Sequence, residues 1–298
     1  ASAGDVNGDG FDDVLVGAHL YDDTEADEGR TFLYLGSSTG LAASAAWTAD
    51  GEQLDAWLGY SVASAGDVNG DGYDDVIAGA RNTGSKGRAF VYLGSSTGLA
   101  TSAAWTADGD QTNAEFGVSV AAAGDVNGDG YADVLVGAWT YDNGNANEGR
   151  AFLYLGSGAG LGASASWTTE SDQLEARLGF SLATAGDVNG DGYSDVLVGA
   201  YQYDDGQTNE GRASLFLGSG DGLSTDADWT AEADQASASF GICVATAGDV
   251  NGDGFSDVQI GRAHVYGGHA DEGRASLYLG SSTGLSTGAA WTAGRFPF

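Results

Sequence analysis

Residues 5–13 read D-V-N-G-D-G-F-D-D, and the run returns at Asp67, Asp125, Asp187 and Asp249 as D-V-N-G-D-G, an aromatic residue, one variable residue and Asp. Each copy offers side-chain oxygens at positions 1, 3, 5 and 9, a backbone carbonyl at position 7 and a glycine for a sharp turn at position 6. That is the donor set of a hard cation. No copy contains His or Cys, so a transition metal lacks its preferred ligands. The run opens like an EF-hand loop but closes with Asp at position 9 in place of Glu at position 12, and no helix pattern flanks it. A single such run reads equally well as an Asn/Gly/Asp turn between strands. Five copies with the same ligand positions predict five calcium ions.

Outward from these loops the whole chain is periodic. The starts of the runs are separated by 62, 58, 62 and 62 residues. EGR recurs at Glu28, Glu148, Glu210 and Glu272, with KGR at Lys86, and WT recurs at Trp47, Trp105, Trp167, Trp229 and Trp291. Units this long, each holding several strands, point to a propeller or an array and not to a short-rung solenoid. Glycine at 51 of 298 positions would interrupt helices repeatedly, and no segment carries a sustained helical apolar stripe, so the class is all-β. In one repeat we expect strands over residues 58–66, 75–80, 87–95 and 103–107, with the metal loop between the first two. The runs VLVGA from Val14 and FLYLG from Phe32 are apolar on successive residues, which requires cover on both faces of the sheet. A four-stranded blade stacked between two like it meets that requirement and protects its edges. The expectation is one β-propeller over residues 1–298 with five antiparallel four-stranded blades, from repeats 5–66, 67–124, 125–186, 187–248 and 249–298.

Phe116-Gly117, the loop at residues 125–133 and Gly137-Ala138 together resemble the FG-GAP repeat of integrin alpha subunits and of many secreted bacterial proteins. The resemblance covers nearly the whole chain and is most specific at the metal loop. It implies a β-propeller with calcium between the first and second strands of a blade. The implied ligands are Asp5, Asn7, Asp9, the Phe11 carbonyl and Asp13; Asp67, Asn69, Asp71, Tyr73 and Asp75; and Asp125, Asn127, Asp129, Tyr131 and Asp133. The fourth and fifth loops supply Asp187, Asn189, Asp191, Tyr193 and Asp195, then Asp249, Asn251, Asp253, Phe255 and Asp257. Three features depart from the family. The proline after Gly-Ala is replaced by His19, Arg81, Trp139 and Tyr201, and the fifth copy reads Gly261-Arg262-Ala263. Integrin propellers have seven blades against five repeats here. The chain also starts inside a blade, so a fragment of a larger propeller is an alternative to a ring closed by the RFPF run at Arg295 to Phe298.

A formal net charge of −33 argues against nucleic acid as a partner. Five of the ten basic residues repeat at one position, Arg30, Arg88, Arg150, Arg212 and Arg274, which predicts a structural ion pair, with Glu28 and its equivalents as the expected partners. The single cysteine excludes an intrachain disulfide, and Cys243 takes the place of Ser61, Ser119 and Ser181, which predicts a small core residue. No apolar run is long enough to span a membrane. Calcium as the staple predicts an extracellular, cell-surface or periplasmic setting. His19, His264 and His269 accompany no nucleophile elbow or metalloprotease helix, so no enzyme is predicted.

Features shared by all blades are those each blade needs to fold, so recognition belongs where the repeats differ. Strand order puts the metal loops and the SSTGL turns at one end of a blade, and the variable 2–3 and 4–1 loops at the other. Candidate ligand-binding residues there are His19, Tyr21, Trp57, Arg81, Trp139, Tyr141, Arg177, Tyr201 and Tyr203. The leading expectation is a recognition or adhesion module for a protein or matrix ligand. A lectin with sites between blades and a spacer without ligand are the alternatives. Ligand identity and oligomeric state are not legible in the sequence.

Overall fold

The described strands form five four-stranded sheets, each of four strands consecutive in the chain, and the first strand of each later sheet falls at the end of the preceding sequence repeat. The structure is a computed structural model and describes residues 1–265 and 272–294; His269 and the Arg295 to Phe298 run lie outside the described residues. The first sheet holds β1 (Ser2–Gly4), β2 (Asp13–Ala18), β3 (Arg30–Tyr34) and β4 (Trp47–Asp50). The second holds β5 (Leu58–Gly66), β6 (Asp75–Ala80), β7 (Arg88–Tyr92) and β8 (Trp105–Asp108). The third holds β9 (Val120–Gly124), β10 (Asp133–Ala138), β11 (Arg150–Tyr154) and β12 (Trp167–Glu170). The fourth holds β13 (Leu178–Gly186), β14 (Asp195–Ala200), β15 (Arg212–Phe216) and β16 (Trp229–Glu232). The fifth holds β17 (Cys243–Gly248), β18 (Asp257–Val265), β19 (Glu272–Tyr278) and β20 (Trp291–Gly294). Of the expected strands in the second repeat, the first two agree with β5 and β6. The third is shorter at both ends, and the fourth begins at the tryptophan because Val91 pairs with Trp105.

The described chain forms two compact units. One contains Ala1–Ala122, Gly130–Ala138 and Phe152–Ser166, and the remainder forms the other. In the first unit the core gathers Val6, Leu15, Leu33, Trp47, Val76, Tyr92 and Leu99. In the second it gathers Val188, Leu197, Leu215, Phe240, Val258, Ile260, Tyr278 and Leu285. All six residues of β6, β10 and β14 are buried, as the unbroken apolar runs require. Each fully buried Val or Leu contributes about 1.5–3 kcal/mol.

Successive sheets interlock in one way throughout. In the first unit Asp74 N donates to Asp5 O and Ser95 N to Val6 O, at 3.3 and 3.0 Å; Ala132 N and Ser157 N repeat this on Asp67 O and Val68 O. In the second unit Ser194 and Ser219 N donate to Asp125 and Val126 O, and Ser256 and Ser281 N to Asp187 and Val188 O. The WT tryptophan adds a latch. Trp47 and Trp105 donate Nε1–H to Ala100 O and Gly162 O at 3.0 and 2.9 Å, and Trp167 and Trp229 donate to Ser224 O and Ser286 O. Each indole meets an aromatic ring edge-on, as Trp47 meets Tyr92 at 4.8 Å. Backbones approach so closely that a Cβ on Gly17 would lie 2.0 Å from Gly59 O, which accounts for glycine at both places.

Two expectations are corrected. Val16 on β2 is exposed while its equivalents on β6, β10 and β14 are buried, so cover on both faces does not extend to the first sheet. Cys243 is exposed and is not a core residue. Its equivalent Ser61 is capped by Val120 N of the following sheet, a neighbour that the fifth sheet lacks among the described residues.

Candidate metal loops and the aromatic loop cluster

Every candidate metal loop joins the first and second strands of its sheet. In the first, Asp5 Oδ1 accepts from Gly8 N and Asp9 N at 2.8 and 3.1 Å, and its Oδ2 accepts from Gly10 N at 2.8 Å. Asn7 Oδ1 accepts from Asp9 N, Asn7 Nδ2 donates to Asp9 Oδ2, and Phe11 N donates to Asp9 Oδ1. Gly8 and Gly10 sit at φ of +71° and +87°, a left-handed conformation that a side chain would strain. The same pattern holds at Asp67 to Tyr73, Asp187 to Tyr193 and Asp249 to Phe255. In the third loop Asp125 takes Gly128 N and Asp129 N, and Asn127 bonds Asp129.

The closing aspartates differ from the others in burial. Asp13, Asp75, Asp133, Asp195 and Asp257 are all fully buried. Asp75 accepts from Val68 N at 2.9 Å and Gly94 N at 2.8 Å, so it ties the loop to the start of the 3–4 turn. Burial, opposed by those two amides and reinforced by the charges of Asp71 and Asp67, pushes its pKa up to about 7. Asp195 rises to about 7 for the same reasons, and Asp13 is also raised. The exposed Asp249 is lowered, chiefly by the Gly254 amide. In the first, second, fourth and fifth loops no described carboxylate meets an Arg or Lys. A buried carboxylate beside two more, all oxygen donors and none compensated by a cation of the chain, fits a divalent hard cation. The carboxylate oxygens gathered within 4.8 Å of one another among the described residues are instead those of Asp23, Glu28 and Asp50. Arg30 already threads that trio, bonding Asp23 Oδ2 at 2.6 Å and pairing with Asp50, so it reads as an ion-pair network.

The partner expected for the repeated arginine is corrected here. Arg30, Arg88, Arg150 and Arg212 pair with Asp50, Asp108, Glu170 and Glu232 on the fourth strand, because Arg30 stands directly across from Asp50 in the β3–β4 register. Glu28 is fully buried and does other work: its Oε1 accepts from Asp23 N and Thr24 N at 2.8 and 2.9 Å, pinning the 2–3 loop. Tyr21, Tyr141 and Tyr203 lie over these arginines, with ring centroids 4.3, 3.9 and 3.8 Å from Cζ of Arg30, Arg150 and Arg212. The second repeat, whose loop is short and forms a 3-10 turn at Thr83–Ser85, has no such tyrosine.

The remaining candidates form two clusters. In the first unit His19 packs edge-on to Trp57 and Tyr60, at 6.2 and 5.2 Å. Arg81 lies 4.7 Å from Trp57 and 4.1 Å from Tyr60 and pairs with Glu115. In the second unit Trp139, Phe180 and Tyr201 lie within 6.3 Å of one another, with Arg177 4.7 Å from Trp139 and bonded to Glu175. Trp57 and Arg177 hold φ of 59° and 60°, rare for residues of this size. Trp57 Nε1 and Arg81 Nε are buried without a hydrogen-bond partner. Sequence reasoning missed Tyr60 and Phe180; their signal is an aromatic directly after Gly59 and Gly179, where other repeats have Val118 and Ile242.

A family model described as FG-GAP repeat matches residues 1–34 and 178–216, and one described as FG-GAP-like repeat matches residues 67–136. The chain is 36% identical over 173 residues to integrin alpha-PS2 of Drosophila melanogaster, covering 52% of this chain and 12% of that protein. It is 33% identical over 217 residues to integrin alpha-V of Gallus gallus, covering 68% of this chain and 20% of that protein. To integrin alpha pat-2 of Caenorhabditis briggsae it is 31% identical over 222 residues, covering 68% and 18%. The matched region thus spans a small part of each of these relatives.

Proposed function

This chain belongs to the FG-GAP repeat family, and from that premise we propose that it is a calcium-stabilised recognition module. Its loops hold up to five calcium ions, and the end of the blades away from those loops binds a protein ligand in an extracellular or periplasmic setting. Support for the binding end comes from the cluster of His19, Trp57, Tyr60 and Arg81, where residues that differ between repeats converge and Trp57 sits in a left-handed conformation. Trp57→Ala and Arg81→Ala, compared with the parent chain on an array of secreted and matrix proteins, should lose ligand capture at unchanged calcium stoichiometry. Capture that survives both substitutions would remove this cluster as the binding site.

A glycan reading is favoured by a different observation. Equivalent clefts of about 410 and 390 Å³ lie beside β4 and β7 and beside β12 and β15. Thr48, Asp50 and Tyr92 line one, and Thr168, Glu170 and Phe216 occupy the same repeat positions in the other. Hydroxyls, a carboxylate and a ring are suited to a sugar. A glycan array distinguishes the two readings, because a lectin captures glycans irrespective of Trp57.

A further inference from the structure

An asparagine followed by glycine is prone to lose its side-chain amide, because the glycine nitrogen reaches the asparagine carboxamide with no side chain of its own in the way. The chain has six such steps. Asn7-Gly8, Asn69-Gly70, Asn127-Gly128, Asn189-Gly190 and Asn251-Gly252 lie in the candidate metal loops, and Asn143-Gly144 lies in the 2–3 loop of the third repeat. The five in the metal loops are held at both reacting groups. Gly8, Gly70, Gly128, Gly190 and Gly252 donate their N–H to the first aspartate of the loop at 2.6 to 2.8 Å. Each asparagine also accepts at Oδ1 from the amide two residues on and donates Nδ2 to that residue's carboxylate, as Asn69 does with Asp71 at 3.0 and 2.9 Å.

The sixth step has none of these restraints. Asn143 and Gly144 are exposed, and neither the Asn143 carboxamide nor the Gly144 amide has a hydrogen-bond partner among the described residues. In the first repeat Glu28 Oε1 holds the amides of Asp23 and Thr24, which stand where Asn143 and Gly144 do, whereas Glu148 Oε1 is buried without a hydrogen-bond partner. Gly144 sits at φ of +104° with nothing within 4 Å of the place a Cβ would take, so the backbone has room to turn. Asn143 also departs from its repeats in charge. Asp23 pairs with Arg30 at 2.6 Å and Asp205 with Arg212 at 2.9 Å, but Asn143, at the same position, has no charge to offer Arg150.

We propose that Asn143 is a site of spontaneous deamidation, which supplies the third repeat with the carboxylate that the first and fourth already carry. The Gly144 nitrogen gives up its proton and bonds to Asn143 Cγ, the Cγ–Nδ2 bond breaks, and Nδ2 leaves with that proton as ammonia. One water then opens the cyclic imide. Opening at Cγ restores the ordinary peptide with an aspartate side chain, and opening at the main-chain carbonyl leaves isoaspartate. In both cases one amide and one water become one carboxylic acid and one ammonia. Asn143 lines the cleft of about 390 Å³ beside β12 and β15, so the new charge falls on the lining of that cleft.

Ageing the purified full chain in calcium-containing buffer at mildly alkaline pH tests this. Mass spectrometry of its proteolytic peptides follows each step, with fragment ions that separate Asn127 from Asn143. Asn143 should convert at least about tenfold faster than any asparagine of the metal loops, because a loop must first open locally to free its glycine amide. A more acidic form should build up on ion exchange. Asn143→Gln should abolish it, since the longer side chain must close a larger ring, and Asn143→Asp should run as the acidic form from the start. In denaturant the six steps should react at similar rates, which assigns the difference to the fold. Conversion of Asn143 no faster than that of the loop asparagines in the folded chain would overturn the proposal. So would an undiminished preference for Asn143 in denaturant, since the fold would then not be its cause.

Discussion

Removing calcium should invert the pH dependence of stability. Asp75 and Asp195 are fully buried, and burial pushes each from an ordinary value of 3.8 up to about 7. A carboxyl whose folded pKa lies above its unfolded one is protonated more readily in the fold. Without calcium each of these two carboxyls therefore contributes stability that is fully present below about pH 4, is lost as pH rises toward 7, and is level above that. The gap of about three pKa units corresponds to about 4 kcal/mol for each group, an upper figure because relaxation and water entry soften it. Calcium beside Asp75 reverses the preference, since the ion favours the carboxylate and holds its pKa down. With calcium, stability then falls as pH drops through the acid range, and the two curves diverge between about pH 4 and 7. Thermal melts in calcium-depleted and calcium-saturated buffers, stepped across that range, measure the divergence directly, and the difference between them cancels carboxylates elsewhere in the chain. Parallel curves would refute both the buried-charge argument and the assignment of metal to these loops.

Asp129→Ala removes a central donor of the third loop and should lower calcium stoichiometry by one ion, read by metal analysis after gel filtration, with a loss of melting temperature. Trp47→Phe leaves Ala100 O without its indole donor inside a packed contact and should cost about 1–3 kcal/mol, whereas Trp291→Phe should change the melt by less than about 0.5 kcal/mol. Equal shifts would mean that the latch is not what stabilises successive sheets. Glu28→Ala removes the acceptor of two amides on the exposed residues Asp23 and Thr24 and should cost about 1–3 kcal/mol, with faster hydrogen exchange at both as the local sign. Tyr141→Ala deletes a buried ring together with its contact with Arg150 and should cost about 3–5 kcal/mol in the melt.

Much of the fold was legible because its information is local. The first two strands of the second repeat, their connecting loop and the position-6 glycine lie within one contiguous stretch whose side-chain alternation and turn chemistry are read directly. Positions 1, 3 and 5 of the loops share one hydrogen-bond pattern for the same reason, whereas the closing aspartate is also held by a distant amide, as Asp75 is by Gly94 N. The partner of Arg30 was misread because Glu28 is near in sequence, while Asp50 is near only through the β3–β4 register. That Tyr21, a ligand candidate on a variable loop, lies over the guanidinium of Arg30 follows only once the 2–3 loop folds back.

Repetition in the chain by itself determined how many sheets the described residues form and where the repeats differ. What only the tertiary structure decided is the environment of residues that occupy identical sequence positions. Trp47 and Trp291 sit in the same WT motif, and Ser61 and Cys243 at the same strand position, but among the described residues one member of each pair has a neighbouring sheet over it and the other does not. Periodicity assigns a residue to a site within its blade. Burial and hydrogen bonding depend on which sheet lies next to that blade, and that is a property of the assembled molecule.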